Sequence, residues 1–166
     1  MDTKTFNESH AISKKHELEI IQKLAPYLIV PPPENEDLNN NTDLWLAFQS
    51  CRIAYRVREY NSLSYFMKDF TIRYRSAFGY ASEYDKILAG HGDLFFYGLT
   101  TPDGSKLSRW VLYDLKRLGV HWNRQKEMHG INWLPGTLKY NGDGSQFLTV
   151  NHMDDFIITK GEICIT

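Results

Sequence analysis

The 166-residue sequence has few cysteines, no long apolar run and almost no net charge. Its two cysteines, Cys51 and Cys164, form no Cys-x-x-Cys pair and are too few for a disulfide scaffold, so reduced and packed thiols are expected. A helix that crosses a bilayer needs roughly 20 successive apolar residues. The apolar stretches here, such as Leu94 to Tyr97, are far shorter, which excludes an integral helical membrane protein. The opening MDTKTFNESHAISKKHELEI lacks the charged-then-apolar order of a secretory signal and predicts a cytoplasmic protein. The six histidines form neither a His-Glu-x-x-His motif nor a Cys/His cluster, which argues against a zinc site, and there is no Gly-x-x-x-x-Gly-Lys phosphate loop.

What is present is a composition able to build a core. Hydrophobic residues make up 42% and aromatics 14%, with a net charge of only -1, and this excludes wholesale disorder. The length fits one domain. The balance of 19 Lys+Arg against 20 Asp+Glu does not by itself mark a nucleic-acid binder. Charge is uneven, however: from Arg52 to Arg75 six cations (Arg52, Arg56, Arg58, Lys68, Arg73, Arg75) face only Glu59 and Asp69.

Periodicity predicts an amphipathic helix over residues 13–24, with Ile20, Ile21 and Leu24 on its apolar side and Pro26 ending it. A Pro/Asn-rich loop over 31–42 follows, then a core over 43–118 and a β-rich extension over 119–166. Strands are expected near 44–49, 52–59 and 70–75. In the second, Ile53, Tyr55 and Val57 share one face while Arg52, Arg56 and Arg58 share the other; in the third, Phe70, Ile72 and Tyr74 oppose Arg73 and Arg75. The two strands are expected to present one basic face. Ser82 caps a helix over 83–89, and Asp93 to Leu99 is apolar on both parities, as a strand covered on both faces should be. Thr101-Pro-Asp-Gly-Ser turns into a partner strand over 108–115. Beyond Gly119, HWNRQKEMHG reads as loop, with short strands at 137–140, 146–150 and 156–159.

The predicted order αβββαβ, followed by further β structure, resembles the core of the PD-(D/E)XK (restriction-endonuclease-like) nuclease superfamily. The chain also resembles a group of small phage and prophage proteins, through six stretches: Thr42-Asp43, Ala54 to Arg58, Asp69 to Arg73, Glu83 to Ile87, Gly92-Asp93 with Phe96-Tyr97-Gly98, and Trp110 to Leu115. The resemblance implies an α/β (α+β) single domain with a central mixed sheet. It further implies a protein acting on nucleic acid, DNA or RNA, in the cytoplasm of a phage-infected host cell. In that superfamily a carboxylate and a Glu-x-Lys hold divalent cations, and Mg²⁺ suits such oxygen ligands.

Carried over by position, Asp43, Glu83, Asp93 and Glu19 become the candidate Mg²⁺ ligands, and Asp43, Glu83, Lys86 and Arg56 the candidate catalytic group. The sequence departs from the family where it matters most, with Ala54 in the acidic position and Arg56 in that of the lysine. The arginines Arg52, Arg56, Arg58, Arg73 and Arg75 would repel one another unless an anion or an acidic partner lies over them, which suggests phosphate contacts. The rival reading is a catalytically empty form of the same fold that engages nucleic acid or a host protein, for example against a defence system. A homodimer is compatible with either reading, and neither calls for a membrane. A third reading, a small-molecule enzyme with an aromatic pocket at Phe95, Tyr97 and Trp110, has no motif behind it.

Overall fold

The computed structural model describes residues 6–30, 45–46, 51–75 and 80–162. Two helices come first, α1 (Phe6–Lys15) and α2 (Glu17–Leu28), where one helix over 13–24 was expected. They meet at His16, which is buried. Pro26 does not end α2, because its ring removes only one backbone donor and the helix closes two residues later at Leu28. Strand β1 (Ile29–Val30) then pairs antiparallel with β2 (Trp45–Leu46).

The core continues with β3 (Ile53–Arg58), a 3-10 turn at Tyr60–Ser62, a single helical turn α3 (Leu63–Phe66) and β4 (Asp69–Arg75). After it come α4 (Glu83–Leu88), β5 (Leu94–Thr100) and β6 (Leu107–Asp114). The sequence reading recovered β3, β4, α4, β5 and β6 to within a residue or two, but predicted neither the 3-10 turn nor α3. Ser82 caps α4 as expected, accepting from the Asp85 amide while Asp85 reaches back to the Ser82 amide, so two orphan donors are satisfied at once. The remainder is α5 (Leu115–His129), β7 (Thr137–Tyr140), β8 (Gln146–Asn151) and β9 (Ile157–Glu162). Helix α5 replaces the loop expected after Gly119. Its buried residues Leu115, Leu118, Gly119 and Trp122 fall at helical spacing, and the Asp114 carboxylate caps it by accepting from the Arg117 amide at 2.8 Å.

The chain forms a mixed α+β domain. Its main sheet has the order β3-β5-β6-β9, with β3 parallel to β5 and the other neighbours antiparallel. A second, antiparallel sheet has the order β4-β8-β7. The expected central mixed sheet forms, but without β4, which pairs with β8 in the second sheet. Strand β5 is central and buried along its whole length, as its two-sided apolar sequence requires. Leu94, Phe96, Trp110 and Leu112 pack with Val57 against Ile20 and Leu24 of α2. Phe95, Tyr97, Val111 and Tyr113 pack instead with Phe70, Ile72, Leu148 and Val150 of the second sheet and with Ile87, Leu118 and Trp122. The molecule is thus layered, with α1 and α2 on one face of the main sheet and the second sheet, α4 and α5 on the other.

Among the described residues no helix is long and apolar enough to cross a membrane. Cys51 is a free, half-buried thiol whose pKa is pushed up by burial, and Cys164 lies outside the described residues.

Candidate functional site

The arginine face of β3 is where layering changes the meaning of the sequence. Parity correctly groups Arg56 and Arg58 opposite Val57, but at these two residues that face is covered by the second sheet. The Arg56 side chain is only 15% exposed and donates to the Thr71 carbonyl at 3.0 Å as well as to Glu83. Arg58 donates to the Thr71 hydroxyl and to Tyr97. Arg73 is half-buried, and its amide donates to Glu83 Oε2 at 2.8 Å. The anion demanded by this crowding of guanidiniums is Glu83 of the same chain. Arg52 and Arg75 are exposed.

Glu83 therefore has both carboxylate oxygens engaged, Oε1 by Arg56 and Oε2 by the Arg73 amide. Desolvation pushes its pKa up, but Arg56 and the Arg73 amide outweigh this and hold it below the usual carboxylate range. Asp93 accepts from the Arg52 amide at 2.9 Å and from Arg52 Nε at 3.1 Å, and these bonds likewise lower its pKa. Glu19 receives the Leu107 amide at 2.9 and 3.0 Å, which anchors α2 to the start of β6. Leu107 pairs with Thr100 at the far end of β5 from Asp93, so the length of that strand, about 20 Å at ~3.3 Å per residue, separates Glu19 from Asp93. Glu19 and Asp93 cannot share one cation.

Asp43, the remaining expected ligand, lies outside the described residues. Among the described residues no group of three or more His, Cys, Asp or Glu is placed to hold a metal ion. Each described carboxylate on the expected Mg²⁺ path is already neutralised by a guanidinium or committed to a backbone amide. A hard divalent cation would have to compete with those partners for the carboxylate oxygens.

The structure does bring Glu83, Lys86 and Arg52 to one cavity of about 280 Å³, at the N-terminal ends of the parallel strands β3 and β5. Ala54 lines the cavity, and its small side chain leaves space there. Ile72, Ile87, Phe95 and Leu115 complete an apolar wall. Lys86 and His91 are exposed at this cavity, and among the described residues neither side chain has a hydrogen-bond or ion-pair partner. Sequence reasoning passed over His91 because the six histidines form neither a His-Glu-x-x-His motif nor a Cys/His cluster. The signal was in the glycines, whose φ angles of 75° at Gly90 and 83° at Gly92 make the tight turn that sets His91 at the cavity. The aromatic trio Phe95, Tyr97 and Trp110 does not form one pocket, because Trp110 packs in the cluster on the α2 side of the sheet and the other two on the opposite face. The chain matches no family model, no curated protein and no solved structure.

Proposed function

We propose that this chain is a nucleic-acid-binding protein that resembles the phage-associated PD-(D/E)XK group and holds its ligand without cutting it. The observation that carries this reading is the state of Glu83: the carboxylate that would have to hold a metal is instead paired with Arg56 and the Arg73 amide. Around the same cavity Arg52, Lys86 and His91 remain exposed to meet phosphate. Arg75, exposed at the end of β4, adds a further cation. Ala54 removes the acidic partner that hydrolysis in that superfamily uses, and Arg56 in the lysine position serves an internal ion pair. The near-zero net charge favours a second reading, in which the partner is a host protein.

The test is a binding series with single-stranded, duplex and branched DNA and RNA across a range of salt concentrations. Binding should weaken linearly on a log–log plot, and Lys86→Gln or Arg75→Gln should each flatten the slope by about 0.9 on duplex or about 0.7 on single strands. Adding millimolar Mg²⁺ or Mn²⁺ should yield no product. Metal-dependent cleavage would restore the hydrolase reading, and absence of binding to every nucleic acid in the panel would favour the host-protein partner.

A further inference from the structure

The cavity beside Ala54 combines three features that rarely coincide on a surface built only for stability. Its wall is apolar, formed by Ile72, Ile87, Phe95 and Leu115. It contains one acceptor-only group, Glu83, whose side chain is 40% exposed and which, with one donor on each oxygen, keeps lone pairs free for a further donor. Cations stand beside it: Lys86 is without a partner among the described residues, and Arg52, 60% exposed, has its Nε and Nη2 occupied by Asp93 and Gly90 while Nη1 has no partner among them. The volume of about 280 Å³ lies near the lower end of the ~300–1,000 Å³ typical of small-molecule sites. Such a space excludes a duplex.

We propose that this cavity binds a single nucleotide whose base carries an amino group, with the base against the apolar wall and the phosphate at Lys86 and Arg52. This rests on the nucleic-acid reading above and names the unit that reading engages. The amino group of adenine, cytosine or guanine donates to the free lone pairs of Glu83. Uracil and thymine offer the same carboxylate only N3–H, flanked by two carbonyl oxygens that it repels, so they bind more weakly. The phosphate meets an ammonium and the free guanidinium hydrogens, a charge-assisted arrangement in which Lys86 acts as a point charge.

The experiment is calorimetric titration of the full chain with AMP, CMP, GMP and UMP. The three amino-bearing nucleotides should bind about tenfold more tightly than UMP, a difference of about 1.4 kcal/mol, the order of one hydrogen bond to a charged acceptor. Lys86→Gln should weaken all of them by roughly tenfold and leave the order of bases unchanged. Ala54→Leu should fill the cavity and abolish binding, with the unliganded melting temperature showing that the fold is kept. No binding of any mononucleotide at millimolar concentration, UMP binding as tightly as the others, or parental affinity in both variants would each overturn the site. Oligonucleotide binding that persists while all mononucleotides fail would sink this site alone. The reverse pattern would keep the site and sink the broader reading.

Discussion

Arg56 and Glu83 together occupy the place of a missing strand neighbour on the free edge of β4. In a β-strand the carbonyl of one residue and the amide of the residue two positions on point to the same edge. On β4 these are the Thr71 carbonyl and the Arg73 amide, which receive Arg56 Nη1 and Glu83 Oε2. The two side chains then close on each other through Arg56 Nη2 and Glu83 Oε1. A donor and an acceptor from two separate segments thus tie the second sheet to the main one where no backbone pairing does.

A structural Arg56 and a phosphate-binding Arg56 make opposite predictions. Arg56→Gln should destabilise the fold by about 1–3 kcal/mol, because it strips a charged partner from Glu83 and the Thr71 carbonyl. Arg75→Gln, at an exposed position, should stay within about 0.5 kcal/mol of the parent. Urea unfolding of both variants decides the matter, and equal midpoints would mean that the ion pair holds nothing together.

The same pair predicts how stability responds to acid. Glu83 titrates below its ordinary value of 4.5 in the folded chain, so unfolding takes up a proton at low pH. Its contribution is complete above that ordinary value and is lost as pH falls through the folded one. Asp93, lowered by its hydrogen bonds to Arg52, acts in the same direction from an ordinary value of 3.8. The parent should therefore lose more stability than Glu83→Gln between about pH 5 and pH 3. Parallel stability curves for the two proteins would contradict the assignment.

Gly119 sets how closely α5 approaches α4. A Cβ at this position would lie 2.6 Å from the Ile87 carbonyl oxygen, a backbone atom that cannot swing aside. Gly119→Ala should cost about 1–3 kcal/mol despite the better helix propensity of alanine. A thermal melt at or above that of the parent would show that the two helices have room to separate.

Phe96 is wholly buried on the central strand, stacked on Trp110 with ring centroids 5.6 Å apart. Phe96→Ala should destabilise by about 3–5 kcal/mol, and calorimetry of the variant checks it.

How much of this was legible in the sequence differs from element to element. The β5–β6 hairpin was readable because Thr101-Pro-Asp-Gly-Ser carries its own turn chemistry and β5 is apolar on both parities. Helix α5 was missed although Leu115, Leu118, Gly119 and Trp122 have helical spacing, since a glycine and a run of polar residues hid the stripe. The parity of β3 correctly paired Arg56 with Arg58, but parity says only which residues share a face and not what covers it. Covering depends on β4 choosing β8 as its partner, a contact across about 75 residues of chain that no local pattern encodes. Glu83 and Lys86 line one cavity, whereas Glu19 lies at the other end of the sheet, because its partner, the Leu107 amide, is set by tertiary structure.

The junction between the two sheets also constrains which sequences can share this fold. Because it is made by side chains at positions 56 and 83, it can be rewritten in a way that a backbone ladder cannot, but only if both positions change together. Position 73 adds both its amide and its positive charge to Glu83, so proline is barred there and a cation is favoured. In a set of related chains, positions 56 and 83 should therefore drift as a couple while position 73 never becomes proline.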